Sequence, residues 1–207
     1  MVFGKAMTRL DSPADAQQFW RCVPGFCAFK SIYDNAVATA KDGDTLIEVG
    51  SLYGKSTLYM AEQIFISGKN LSFYAIDKWM EDPRIDLFLR DSINREHGGL
   101  FGAFIYYLEQ SGFREFVRVI RMDSADSAQL FMGRKLHFVF LDAGHSYKEL
   151  SRDIQSWEHA DITYLGGDDY TQEWPGVIQA VEEYRQRHPE RSFRVDGQAW
   201  LSSKAAK

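Results

Sequence analysis

The sequence predicts an α/β fold, a doubly wound and mostly parallel sheet with helices on both faces. Three observations carry that expectation. Short apolar runs alternate with amphipathic stretches along most of the chain, and strand–helix–strand order in one sheet requires parallel strands joined by crossovers. Several of the runs close on a glycine or an acid after five to seven residues, which is strand length. The run "LHFVFLDA", Leu136 to Ala143, is apolar enough to be buried on both faces, as a central parallel strand must be.

Taken in order, residues Pro13 to Thr39 read as one or two helices ahead of the sheet, part of an N-terminal helical cap over residues 1–42. "TLIEVG", Thr45 to Gly50, is the first buried strand, stopped by its glycine. From Lys55 a helix follows, with Leu58, Ala61, Ile64 and Phe65 on one face and an end near Gly68. "LSFYAID" (Leu71 to Asp77) and "VRVIRMD" (Val117 to Asp123) are the second and third strands. Between them residues 79–116 form an aromatic-rich insertion with "HGG" in its middle, placed to act as a lid lining an acceptor pocket. The fourth strand is Leu136 to Ala143, and Tyr147, Leu150, Ile154 and Trp157 mark one face of the helix behind it. "DITYLGGDD", Asp161 to Asp169, is the fifth strand. "PGVIQAVEEYRQRH" is then a helix, with Pro175 suited to its first turn and Val177, Val181 and Tyr184 on one side. "FRV" and "AWLSS" around Asp196-Gly197 make a terminal hairpin, adding an antiparallel strand at one edge.

The chain has 207 residues, which suits a single domain over 1–207 with a sizeable core. It is 45% hydrophobic and 26% charged with net charge −5, so no general pull toward nucleic acid or an anionic membrane is expected. No apolar run spans a bilayer and no leader is evident at the start, so a cytoplasmic protein is expected. Cys22 and Cys27 are too far apart for a Cys-x-x-Cys pair and lack further zinc ligands, and read as reduced structural residues. The hairpin "FRVDGQAWLSS" offers an edge with which a second copy can pair, so a homo-oligomer is compatible with the sequence and not required by it.

The first strand-to-helix turn carries the functional signal. Its pattern is Glu48-x-Gly50-x-x-x-Gly54, where a dinucleotide fold has G-x-G-x-x-G. An acid in place of the first glycine repels a pyrophosphate and suits a cationic group. "GSLYGKS" is also one residue short of a P-loop. Asp77, closing the second strand a little over twenty residues beyond Gly54, is placed to accept both hydroxyls of a ribose; an Asp in this position also serves as an ordinary loop or helix cap. A nucleoside cofactor without a pyrophosphate satisfies both features, and S-adenosyl-L-methionine has the required adenosine and the cationic amino-acid end.

At this point the sequence resembles the class I S-adenosylmethionine-dependent methyltransferases, with a Rossmann-like fold, from about residue 30 onward. The family loop, acid-x-Gly-x-x-x-Gly, is matched by Glu48, Gly50 and Gly54, and the acid closing strand two by Asp77. The resemblance implies that Ser51, Tyr53 and Ser56 line the cofactor loop, with Lys78 beside Asp77 and the pair Asp123 and Ser124 near the adenine. "FLDAGHSYKEL" and "GGDDYTQEWPGV" resemble a narrower group, the metal-dependent small-molecule O-methyltransferases of the macrolide-sugar and cephalosporin-pathway type. That group's Asp-x-x-His-x-Tyr is matched by Asp142, His145 and Tyr147. Its acidic pair and tyrosine are matched by Asp168, Asp169 and Tyr170, and its Pro-Gly-Val by Pro175, Gly176 and Val177. Asp168 stands where some members have His, a departure that favours the metal-binding branch.

In a parallel sheet Asp142, Asp168 and Asp169 reach the same edge as Glu48 and Asp77. Carboxylates that converge repel one another unless a cation sits among them, and a hard divalent ion with oxygen ligands, Mg2+ foremost, fits. Asp142 would then touch both metal and cofactor, and a hydroxyl held there becomes a better nucleophile toward a sulfonium methyl. Each of these acids also has a plainer reading as a helix cap. His145 is either the base that takes the hydroxyl proton or a helix-start histidine that holds its loop. In the insertion, Trp79, Phe88, Phe101 and Phe104 interleave with Arg84, Arg90 and Arg95, either as an amphipathic lid or as a wall stacking on a substrate ring. Gly98-Gly99 suit a hinge.

The reading is therefore an enzyme that methylates a hydroxyl of a small molecule, with no nucleic-acid or membrane partner. A cofactor-binding but catalytically silent sensor or scaffold is the alternative, as is N-methylation or hydroxylation on the same fold. A nicotinamide oxidoreductase is disfavoured by Glu48 and the glycine spacing.

Overall fold

A computed structural model describes residues 17–80 and 96–204. The expectations that fall on Pro13, Arg84, Phe88, Arg90 and Arg95, and on the remainder of residues 1–16, lie outside that range. Ahead of the sheet stand a 3-10 turn at Phe19–Cys22 and helix α1 (Lys30–Thr39), separated by Pro24 and Gly25, which cannot continue a helix. Then follow β1 (Thr45–Val49), α2 (Lys55–Ser67), β2 (Ser72–Asp77), α3 (Leu100–Gln110) and β3 (Val117–Arg121). The chain goes on through α4 (Ser124–Ala128), β4 (Lys135–Leu141), α5 (Tyr147–Trp157), β5 (Asp161–Gly167) and α6 (Pro175–Arg187), and closes with β6 (Arg191–Asp196) and β7 (Ala199–Lys204).

The seven strands lie in the order β3-β2-β1-β4-β5-β7-β6, with β1 to β5 parallel and β7 antiparallel to both its neighbours. The expected antiparallel strand is present, but it is not at the edge: β7 fills the slot beside β5, and β6 is outermost. Burial explains the exchange. Ala199, Trp200, Leu201 and Ser202 are all buried, whereas β6 is largely exposed, so the more apolar arm of the hairpin takes the inner position. Gly197, at φ +63°, opens the two-residue turn between them.

Side-chain alternation splits the core into two layers. Leu46, Phe138 and Phe140 face α1, α2 and α3, while Ile47, Val49, Val139 and Leu141 face α4, α5 and α6. The fourth strand is thus buried on both faces as expected. Of the insertion, α3 packs Leu100, Ala103, Phe104, Tyr107 and Leu108 into the first layer, with Gly98 (φ +72°) and Gly99 (φ +103°) just before it. Cys22 is exposed and Cys27 buried, both as free thiols; burial pushes the Cys27 thiol up to about 12.

Helix α5 opens on a capping box, Ser146 with Glu149, and buries Leu150, Asp153, Ile154 and Trp157. Tyr147 departs from its expected face. It is exposed, and its hydroxyl donates to Glu183 Oε2 of α6 at 2.8 Å. Asp153 is the unfavourable member of the buried face. Burial pushes its carboxyl up to about 6, and the hydrogen bond with Ser124 only partly opposes this. A folded-state value above the ordinary 3.8 means the folded protein binds the proton more tightly, so stability falls as pH rises from about 4 to 6. Asp153→Asn is therefore expected to raise stability at pH 7 by up to about 3 kcal/mol and by almost nothing at pH 3, as read from urea midpoints at the two pH values.

Candidate functional site

Strand register assembles the site. Val49 pairs with both Ile76 and Leu141, and Leu141 pairs with Gly167. One residue further on, Asp77, Gly50, Asp142 and Asp168 therefore stand side by side at the carboxyl edge of the sheet, where open α/β sheets bind their ligands. Gly50 N–H donates to Ile76 O at 2.8 Å and Asp142 N–H to Val49 O at 2.7 Å, extending the ladder beyond the strands.

The loop from Gly50 to Gly54 is held from below by Glu48. This carboxylate is 1% exposed and accepts from the hydroxyls of Tyr33 (2.8 Å), Ser51 (2.9 Å) and Thr57, with Ser56 also bonded to it. Burial pushes its pKa up, and the four hydroxyls pull it back down. The acid thus lies beneath the loop as its anchor, not on its outer surface; Ser51, Tyr53 and Ser56 are buried with it. Tyr33 and Thr57 belong to the network and were not legible as such, since one is a core aromatic of α1 and the other an ordinary helix residue. Gly54, at φ +92°, caps α2, and its missing side chain leaves room for the Phe104 ring.

Asp77 ties the loop from above. Its Oδ2 accepts the N–H groups of Ser51 (2.9 Å) and Leu52 (3.0 Å), and its Oδ1 that of Trp79 (2.7 Å). Trp79 completes the tie by donating its indole N–H to Leu52 O at 2.8 Å. A cavity of about 410 Å3 opens beside it, lined by Trp79, Phe101 and Arg121 among others, with the Arg121 guanidinium 4.8 Å from the Phe101 ring centre. On the far side, Asp123 caps α4 through Ala125 N–H, pairs with Arg152 at 2.8 Å, and lies 3.6 Å from Lys78. Burial pushes the Asp123 carboxyl up, but the Arg152 and Ala125 hydrogen bonds and the charges of Arg152 and Lys78 outweigh it and hold the group below its ordinary value. Ser124 is buried, and its Oγ accepts from the Trp157 indole at 3.2 Å.

The acids gather after β4 and β5. Asp142, His145 and Asp169 each offer a ligand atom, and these lie within 4.8 Å of one another. His145 Nδ1 is 2.5 Å from Asp169 Oδ2, and its ring centre is 4.8 Å from that of Trp174. Asp169 holds φ +62°, a left-handed conformation that Asp tolerates better than most residues. Asp168 is next to this group, and its Oδ1 is buried with no hydrogen-bond partner among the described residues. Burial, followed by the charges of Asp168, Asp169, Glu48 and Asp77, pushes Asp142 far above the usual carboxylate range. Burial also raises Asp168. Of the expected metal set, Asp142 and Asp169 share the cluster with His145, and Asp168 adjoins it. Trp174 was missed: "EWPGV" gave a helix start, and nothing local tied its indole to His145.

The sequence matches the methyltransferase-domain family over residues 47–170. No curated protein matches the sequence. Among solved structures, the O-methyltransferase NovP aligns at 16% identity and TM-score 0.55, covering 86% of this chain and 79% of its own. An O-methyltransferase from Bacillus cereus in complex with SAH aligns at 12% identity and TM-score 0.57, covering 96% and 93%. An rRNA methylase from Streptococcus thermophilus aligns at 12% identity and TM-score 0.57, covering 87% and 98%. At such identities the likeness is one of fold, and that fold serves very different acceptors. No helix among the described residues is long and apolar enough to cross a membrane. With the matched segment spanning more than half of the chain and carrying both the glycine loop and the strand-end acids, the chain belongs to the methyltransferase-domain family and has the class I S-adenosylmethionine-dependent fold.

Proposed function

We propose that the protein transfers the methyl group of S-adenosylmethionine to a hydroxyl of a small molecule, assisted by a divalent cation, with magnesium the best fit. The observation that carries this reading is the crowding of Asp142, Asp168 and Asp169 one step beyond the paired strand ends, beside the glycine loop, with one Asp168 oxygen buried and without a hydrogen-bond partner among the described residues. Carboxylates so placed destabilise one another, and an all-oxygen acidic set suits a hard cation. Asp142, Asp168 and Asp169 would hold it. A cation at this position supplies positive charge that makes a nearby hydroxyl easier to deprotonate.

The chain's own residues do the rest. The loop from Gly50 to Gly54 and Asp77 would position the nucleoside; three backbone N–H groups already occupy Asp77, which leaves it about one lone-pair site for a single ribose hydroxyl, not the two expected from the sequence. His145, whose Nδ1 is tied to Asp169, has Nε2 as the nitrogen that accepts the hydroxyl proton. An O–C bond then forms as the S–C bond breaks, leaving S-adenosylhomocysteine, and alignment supplies much of the rate. The negative net charge favours a small acceptor over RNA.

Calorimetric titration of the chelator-stripped protein tests this. S-adenosylhomocysteine is expected to bind at micromolar concentrations and magnesium to bind in turn, with transfer of labelled methyl to hydroxylated probes lost in excess chelator. Nucleoside binding with no magnesium response would overturn the metal role, and no nucleoside binding would overturn the whole reading.

A further inference from the structure

We infer that Trp174 is a platform against which the acceptor rests, so that the hydroxyl to be methylated is carried on a ring. The inference rests on the proposed methyl transfer and adds the class of acceptor. Trp174 is 37% exposed, whereas Trp79, Trp157 and Trp200 are 2%, 0% and 0% exposed. It stands at the mouth of the acid cluster, its ring centre 4.8 Å from His145 at an interplanar angle of 31°. His145 in turn meets Asp169 at 2.5 Å. The half-exposed indole thus adjoins the imidazole, one side chain away from the carboxylates.

The backbone that carries the indole is fixed from two directions. Trp174 N–H donates to Thr171 O at 3.0 Å, and Trp174 O accepts from Val177 N–H at 2.9 Å, at the start of α6. Pro175 sets the backbone just after it. Gly176 brings the start of α6 against the start of α5: a Cβ there would lie 2.6 Å from Tyr147 N. The Tyr147–Glu183 hydrogen bond closes the same junction. The loops after β4 and β5 are thus locked together where Trp174 meets His145. A rigid indole binds a ring face, aryl or sugar, with little ordering cost, and an open-chain molecule offers no such face.

The test uses the full chain labelled with 5-fluorotryptophan, loaded with magnesium and S-adenosylhomocysteine. The protein has 5 tryptophans, and the 19F resonance missing from W174F is that of Trp174. Catechol and methyl glucoside, which separate aryl from sugar rings, and glycerol are then titrated. At least one ring probe is expected to shift the Trp174 resonance at concentrations where glycerol does not. W174A should weaken that probe about tenfold or more, W174F should keep most of the affinity, and S-adenosylhomocysteine binding should stay unchanged in both. Ring binding that leaves this resonance still, or equal probe affinity in W174A, would overturn the platform. So would methylation of glycerol by the wild-type protein as fast as of either ring probe, although the O-methyl reaction would then stand. Ring binding on Trp174 without methyl transfer to any hydroxyl would leave the platform in place and remove the reaction.

Discussion

Asp142→Asn is expected to abolish methyl transfer and, at the same time, to make the protein harder to unfold. Asp142 extends β4 by one hydrogen bond and places its carboxyl between Asp168 and Asp169 on one side and Glu48 and Asp77 on the other. Burial and those charges push its pKa far up in the folded protein. Stability is therefore lost as pH rises above the ordinary carboxylate range, because the unfolded chain gives up the proton first. An amide of the same shape removes that penalty and can donate to the neighbouring carboxylates. In excess chelator the variant should show a higher urea midpoint than wild type at pH 8, the difference closing near pH 3. Activity should go the other way. Stabilisation of the transition-state charge through this set is worth several kcal/mol, so a loss of about a hundredfold or more in kcat/KM is expected. A variant that is both less stable and fully active would show that Asp142 serves the fold, not the reaction.

The succession of strands and helices, the burial of the fourth strand on both faces and the edge on which the acids meet were legible because they follow from local patterns. Alternating burial in "LHFVFL" names both layers, and parallel strands that close on Asp77, Asp142 and Asp168 must present them together. What was not legible depended on contacts between distant segments. Glu48 and Gly50 mark the loop in sequence, but that Tyr33 of α1 and Thr57 of α2 satisfy the acid from outside the motif appears only once the helices are packed. Asp123 looked like a ligand for a nucleoside, and its partner Arg152 lies a whole strand and helix later. The placement of β7 inside β6 also escaped local reading. Hairpin signals give two arms without saying which arm faces the sheet, and that is decided by the apolar surface of Trp200 and Leu201.

The two glycines of the loop have different jobs, and substituting each by alanine separates them. Gly50 sits at φ +93°, and a Cβ there would lie 2.0 Å from Asp142 O and 2.4 Å from Asp142 C. Both obstacles are backbone, held by the β1–β4 ladder, so neither can move without opening the sheet edge. A left-handed conformation costs an L-residue about 1–2 kcal/mol, and overpacking against a fixed neighbour about 1–3 kcal/mol more. Gly50→Ala is therefore expected to lose about 4 kcal/mol of stability and to displace Asp142 from its acidic partners, so that nucleoside binding and activity fall together. Gly54 has the same handedness at φ +92°, but its Cβ would meet only the edge of the Phe104 ring at 3.0 Å. That ring can turn aside, and the loss should stay near 1–2 kcal/mol. Urea midpoints for the two variants, with S-adenosylhomocysteine affinity measured alongside, decide the matter. If Gly50→Ala keeps wild-type stability and loses only affinity, the first glycine is there for the ligand's approach. A large loss of stability in Gly50→Ala alone means that it is there because two strands must end within touching distance, and the ligand site is a consequence of how closely they do.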